Sequence, residues 1–486
     1  MRKIPHCMST QHPDNVNPPF FAANPELGGE DEIQEAYYAF SHLGCDEQMW
    51  DIEGKEVDNF VVKKLLSRYN NYFSEHVIGE EVFITIRVPN PRLERTEAKI
   101  LLETLESIPR SFDTAQQFYG KDIAPIFEVI QPMTTSHTEL ENILHYYKDF
   151  VAGKESRTIW GKYTIKEWIG EFYPKSINVI PLVEDKKHLL LVADIVEKYL
   201  DGKDIEDQRV FLARSDPAMN YGFFSAIILN KIALQRLDGV RKETGVGIHP
   251  IIGVGSAPFR GNLCPSTVDS FIDEYPSVET YTLQSAFKYD NHPQDVEDAI
   301  KVLMSSKPKN PRYVDEDAGI KIVEKYSEEY RRQIIRAAPL INQMAKYIPS
   351  RRKRKLHISL FGYSRNMGGV ALPRAISFTA SLYSMGFPPE LMGLTCLDDA
   401  DIDIIKRIHI NFDSTMASAL EYYNPEADSL LGIDMEKTLQ GLGLDYGHNE
   451  AHREITSSII GQLRKNNTEN LDLLCLQAAN IRKFLG

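Results

Sequence analysis

The stretch INVIPLVEDKKHLLLVADIVEKYLDGKDIEDQRVFLARSD, residues 177–216, decides how the rest of the chain reads. It opens with a β-branched apolar run, INVIPLVE (177–184), that stops at the acidic pair Glu184-Asp185. KKHLLLVADIVEKYL (186–200) follows, with apolar residues recurring at i, i+3, i+4 and i+7, the period of a helix. After a polar connection, RVFLARSD (209–216) returns to the strand pattern. A strand, a helix and a second strand in this order predict a parallel pair, because parallel neighbours need a crossover of about a dozen residues or more. Strands covered on both faces also read as unbroken apolar runs, as these do.

The alternation continues in both directions. QMWDI (48–52), VFITIR (82–87) and PIFEVIQ (125–131) precede the opening pair. HPIIGVG (249–255), VETYTLQ (278–284) and HISLFGYSR (357–365) follow it. Helical patterns such as EAKILLETLESI (97–108) and ELENILHYYKDFV (139–151) lie between. Eight strands alternating with helices predict an α/β protein with a (β/α)8, TIM-type barrel. After residue 366 the chain reads as helices, among them PRAISFTASLYSM and ENLDLLCLQAANIRKFL. The expected organisation is a catalytic barrel over 1–370, including an N-terminal active-site segment, and an additional helical region over 371–486 packed on it as one integrated unit. Residues 285–356 are expected to hold extra helices.

Composition narrows the class. The chain has 486 residues, 42% hydrophobic and 26% charged, which is ordinary for a soluble globular protein. No apolar run approaches the ~20 residues of a membrane span, and MRKIPHCMSTQHPDN lacks the apolar centre of a signal peptide. The five cysteines have no C-x-x-C spacing and read as reduced thiols of a cytoplasmic protein. A net charge of −14 argues against a nucleic-acid partner. The basic run RRKRK (351–355) reads as a solvated connection.

Barrels of this class carry their chemistry at the C-terminal strand ends. The polar residues there include Asp51 and Glu53 after the first apparent strand, Arg87 after the second, and Glu184 after the fourth. Arg214 and Asp216 follow the fifth, GVGSAPFRGN with Arg260 the sixth, Gln284 and Lys288 the seventh, and Arg365 ends the last, with Arg374 beyond. Glu184 and Asp216 are hard oxygen donors suited to Mg²⁺ or Mn²⁺, and Mg²⁺ commonly takes only one or two protein carboxylates. Arg87, Arg214, Arg260 and Arg365 offer planar forks for carboxylate or phosphate. Rim Asp and Arg also form ordinary ion pairs, but a whole ring of charge is expensive to bury without a ligand. Metal plus arginines points to a multiply charged anion and to phosphoryl transfer. A separate signal, GHNEAHRE, sets His448 and His452 four apart, a zinc-like spacing without the H-E-x-x-H order; a helix start or polar packing contact is the plainer reading.

Near the start lies STQHPDN (9–15), a histidine before any obvious secondary structure. Together with the blocks above it resembles the phosphoenolpyruvate carboxylase family, in its short archaeal-type branch. STQHPDN is similar to the family's T-A-H-P-T, ITIRVPN to L-D-x-R-Q-E-S, and PLVEDKKHLL to P-L-F-E-T-x-x-D-L. RSDPAMNYG resembles Y-S-D-S-x-K-D-x-G, GSAPFRGN the end of G-R-G-G-x-x-x-R-G-G, and GYSRNMGGVALPRAISF the G-S-R-P…L-R-A-I-P-W block. The resemblance implies Mg²⁺-dependent (Mn²⁺ possible), irreversible, anaplerotic carboxylation of phosphoenolpyruvate by bicarbonate, through carboxyphosphate and enolpyruvate, to oxaloacetate and phosphate. It implies His12, Arg260 and Arg365 as catalytic groups, Arg87, Arg214 and Arg374 as substrate-binding groups, and Glu184 and Asp216 as metal ligands. It also implies a homotetramer, with no membrane partner. Met219 stands where the longer enzymes carry a lysine, and Val254 falls near the first arginine of their glycine-rich loop; Arg214 is the expected substitute for that charge. Two other readings remain: another metal-dependent phosphoenolpyruvate or pyruvate barrel, a lyase or mutase, and a non-catalytic anion-sensing barrel.

Overall fold

The computed structural model describes residues 3–53, 58–93, 95, 97–353, 366–367 and 369–486. Among them, eight parallel strands close into a barrel. They are β1 (Cys7–Ser9), β2 (Glu47–Asp51), β3 (Phe83–Arg87), β4 (Glu128–Gln131), β5 (Asn178–Val183), β6 (Asp207–Ala213), β7 (Gly247–Gly253) and β8 (Thr280–Leu283). Around the ring the order is β1-β8-β7-β6-β5-β4-β3-β2.

The barrel and its strand number agree with the sequence, but one member differs. The eighth place is held by Cys7–Ser9, which pairs with both Thr280–Leu283 and Glu47–Asp51. The stretch 357–365, expected as a strand, lies outside the described residues. A three-residue strand is too short to show a period, so nothing in CMS advertises it. This correction has a functional meaning: the segment carrying His12 leaves the C-terminal end of β1, where barrel chemistry sits.

Side chains fill the interior in layers. Arg209 on β6 bridges Glu47 on β2, with Nη1–Oε1 at 2.7 Å and Nη2–Oε2 at 2.6 Å, and reaches Glu128 on β4 at 3.0 Å. Because β6 and β2 stand opposite one another in the ring, these bonds cross its lumen. Above them lies an apolar layer of Met8, Met49, Ile130, Ile180, Leu182, Phe211, Ala213 and Ile251. Along each strand these inward residues alternate with outward ones, such as Val179, Val183 and Leu212, that join the cores under the helices.

The first half of the helix Phe223–Thr244, as far as Leu234, is buried on every side, and beyond it only Leu237 and Val240 are. The helix lies between the barrel and Glu316–Met344, one of the extra helices expected within 285–356. The C-terminal helices Ala375–Ser384 and Leu471–Arg482 pack together and return the chain to the barrel mouth, where the Leu485 N–H donates to the Asp14 carbonyl at 2.7 Å. The first two residues of the basic run are not solvated. Arg352 is buried against Glu35 at 2.5 Å, and Arg351 donates to the Val16 carbonyl at 2.6 Å. The five cysteines are free thiols. Among the described residues no helix is long and apolar enough to cross a membrane.

Candidate active site

A cavity of about 130 Å³ opens at the C-terminal mouth of the barrel. His12, Arg87, Glu184, Asp216, Arg260 and Arg374 all line it, brought from six separate stretches of chain. Asp51, Glu53, Ser215, Thr282 and Gln284 complete its polar wall, while Leu182, Phe211 and Ile376 supply apolar wall. A larger hollow of about 1010 Å³ lies at the opposite end, beside the strand starts Asp207, Gly247 and Glu279. Barrel enzymes keep their chemistry at the other end.

The His12 segment is fastened on both sides. The Thr10 N–H extends the β1 ladder to the Leu283 carbonyl at 3.0 Å, and the Ser285 N–H donates to the His12 carbonyl at 3.1 Å. On the other flank Gln11 Oε1 accepts from the Asp51 N–H at 3.0 Å. Asp14 accepts from the Ala286 N–H at 2.7 Å and from Arg260 Nη1 at 3.3 Å. These bonds hold an irregular segment as firmly as an extra turn of regular structure would.

Arg87 ends β3 in the grip of two carboxylates. Its Nε and Nη2 meet Asp51 at 2.8 Å each, and Nη2 meets Glu53 at 3.0 Å. Burial opposes its charge, but Asp51 and Glu53, with Glu184 behind them, push its pKa up, so the guanidinium stays charged. Arg260 donates from Nη2 to Gln284 Oε1 at 2.6 Å and from Nη1 to the Gly486 main-chain oxygen at 2.8 Å. Arg374 is exposed at the rim, one residue before the helix Ala375–Ser384.

Glu184 directly follows β5, and its Oε2 accepts the Met133 N–H at 3.1 Å. Asp216 sits in the first turn of Ser215–Tyr221 after β6. Among the described residues no group of three or more His, Cys, Asp or Glu is placed to hold a metal. Two carboxylates lining one cavity fit Mg²⁺, which leaves most of its shell to water and substrate oxygens, better than they fit zinc. The zinc-like pair is not assembled: His448 is exposed, while His452 is buried and bonded through Nε2 to Arg482 Nη1 at 2.8 Å. Burial and that guanidinium drive the His452 pKa down to about 2.

Arg214 does not line the cavity. It is 1% exposed, its guanidinium lies 5.0 Å from the centre of the Phe223 ring, and Nη1 points to the Phe259 carbonyl. Phe211 and Ala213 face inward, so their neighbour Arg214 leaves on the outer side of the strand. It therefore does not supply the charge missing at Met219 and Val254. Arg365 lies outside the described residues.

Comparison with known proteins identifies the family. The family model described as phosphoenolpyruvate carboxylase matches residues 4–486. The chain belongs to the phosphoenolpyruvate carboxylase family. A phosphoenolpyruvate carboxylase of Methanothermobacter thermautotrophicus is 57% identical over 484 residues, covering 100% of both chains. One from Halobacterium salinarum is 46% identical over 492 aligned positions, again with 100% of both covered. One from Pyrococcus abyssi is 54% identical over 421 residues, 87% of this chain and 89% of that one. These relatives are archaeal proteins of similar length, which places the chain in the short branch of the family.

Asp51, Glu53, Gln284 and Thr10 were not singled out as functional from the sequence. A signal for them existed. Counting by twos from Glu184 down β5 gives the inward set Leu182 and Ile180, and the same parity on β2 and β8 turns Asp51, Glu53, Thr282 and Gln284 inward.

Proposed function

We propose that the chain is a phosphoenolpyruvate carboxylase, an enzyme that joins phosphoenolpyruvate and bicarbonate to give oxaloacetate and phosphate irreversibly. The observation that carries this reading is the convergence of His12, Arg87, Glu184, Asp216 and Arg260 on one small cavity. Guanidinium groups and carboxylates lining one cavity suit a substrate bearing both a carboxylate and a phosphate.

Glu184 and Asp216 would hold Mg²⁺, or Mn²⁺ in its place, and the bound cation would supply charge neutralisation and orientation for substrate oxygens. Arg87 and Arg374 bind the anionic substrate. Arg87 is aimed by its bonds to Asp51 and Glu53, so little ordering remains to be done when substrate arrives. A bicarbonate oxygen attacks phosphorus, the bond from phosphorus to the enol oxygen breaks, and carboxyphosphate and the enolate of pyruvate result. Arg260, fixed by Gln284, neutralises the phosphate side, and Arg365 is assigned the same work by its motif. His12 takes the carboxyl proton of carboxyphosphate, which then separates into carbon dioxide and phosphate. The enolate carbon attacks carbon dioxide and forms oxaloacetate. An anaplerotic role, a cytoplasmic location and a homotetramer complete the proposal.

The test is oxaloacetate production from phosphoenolpyruvate, followed with and without bicarbonate and Mg²⁺. Product should vanish when either is withheld, and ¹⁸O from labelled bicarbonate should appear in phosphate. Turnover of phosphoenolpyruvate that ignores bicarbonate would defeat the reading and favour a lyase or mutase.

A further inference from the structure

We infer that Thr10 is the positioning residue for His12: its hydroxyl oxygen accepts a hydrogen bond from Nδ1–H of the imidazole and so leaves Nε2 as the unprotonated ring nitrogen. This rests on the role given to His12 above. Thr10 is 0% exposed, and its backbone is held from two directions. Its N–H donates to the Leu283 carbonyl at 3.0 Å, and its own carbonyl accepts from Lys288 Nζ at 2.9 Å. Met8, Thr10 and His12 lie at spacing two, Met8 in the lumen and His12 on the cavity wall. The backbone that carries the threonine hydroxyl is thus fixed beside the imidazole.

The hydroxyl oxygen has two neighbours, His12 Nδ1 at 3.0 Å and the Leu283 carbonyl at 3.4 Å. A hydroxyl has one proton to give and can accept as well. If it gives that proton to Nδ1, the Leu283 contact carries no bond. If it gives it to Leu283, Nδ1–H donates to Oγ1 and both contacts are used, the second as a long bond. The second arrangement also survives catalysis. When Nε2 takes a proton, both ring nitrogens become donors, and Oγ1 is already placed as the acceptor. Proton uptake then needs no rearrangement of the hydroxyl. Because the acceptor is neutral, it orients the ring without adding the charge that would hold it as a cation.

The test uses the full-length enzyme, with Thr10→Val keeping the shape without the hydroxyl and Thr10→Ser keeping the hydroxyl. ¹⁵N spectra of histidine-labelled protein report the ring tautomer, and steady-state kinetics report the turnover. The wild type should show His12 as the Nδ1–H form, and Thr10→Val should move it toward Nε2–H. In Thr10→Val, kcat should fall about tenfold to hundredfold, the range for a reacting group misaligned within its site. KM for phosphoenolpyruvate should change by about twofold or less, and Thr10→Ser should recover most of kcat. A wild-type His12 in the Nε2–H form overturns the inference, as does a Thr10→Val enzyme at full kcat or a Thr10→Ser enzyme as slow as Thr10→Val. If Thr10→Val alters the tautomer as expected while the wild type makes no oxaloacetate, Thr10 keeps its hold on the ring and the carboxylase reading is what fails.

Discussion

Gly255 has no room for a side chain. A Cβ there would stand 2.8 Å from Arg260 Nη1 and 3.1 Å from Gln284 Oε1. The missing atom lets the guanidinium lie against the backbone and reach Gln284. Gly255→Ala should therefore displace Arg260 while leaving the fold intact. A fall in kcat/KM of about tenfold to hundredfold is expected, the range for a misplacement of about 1 Å at a reacting centre, with a thermal midpoint lowered by only a few degrees. At this scale the sequence was most informative where a residue type has few other uses. A histidine between Gln11 and Pro13, and carboxylates ending strands, stood out by chemistry alone. Arg214 misled because a strand end names a position but not a side. The parity of Phe211 and Ala213 turns Arg214 outward and turns Asp51 and Glu53 inward, and parity can be applied only once the register of a strand is known.

At the scale of the element, strands β2, β4 and β6 are tied by charge as well as by backbone ladders. Arg209 binds Glu47 and Glu128 inside the barrel, and Thr85 on β3 donates to Glu47. A buried group of this kind is weak evidence for net stability, because desolvation offsets much of the attraction. Breaking it is another matter. Arg209→Met strands two carboxylates in the lumen, and a loss of about 3–5 kcal/mol in urea unfolding is expected. Adding Glu47→Gln and Glu128→Gln to that variant should restore much of the loss, since no unpaired charge then remains. Seven of the eight strands were legible because their apolar runs are long enough to exclude other readings. The strand Cys7–Ser9 was not, since three residues preceded by Pro5 and His6 carry neither period nor β-branched enrichment.

For the whole molecule, the N-terminal end of the barrel carries a tie that answers to pH. At the N-terminal end His249 lies between Asp207, at 2.9 Å, and Glu279. Burial pulls its pKa down, but bonds to these carboxylates outweigh it and the net shift is upward. A group whose pKa rises on folding stabilises fully below its unfolded value of about 6.5 and loses that contribution as pH climbs through the folded value. Thermal midpoints of wild type and His249→Gln should therefore differ most near about pH 6 and converge as pH passes the raised value. An unchanging difference across that window would mean that the imidazolium has no part in holding these strand starts together.

The short strand β1 closes the ring against Thr280–Leu283, and Thr10 extends that ladder to Leu283, 273 positions away. During synthesis at about 5–20 residues per second, β1 leaves the ribosome tens of seconds before the strand Thr280–Leu283 that pairs with it. The proposed proton acceptor is thus made well before one of the two strands that seat it. A nascent chain halted before β8 would carry Arg87 and the carboxylates of Glu184 and Asp216 but lack one of the two flanks that hold the His12 segment, so chemical competence arrives only with closure.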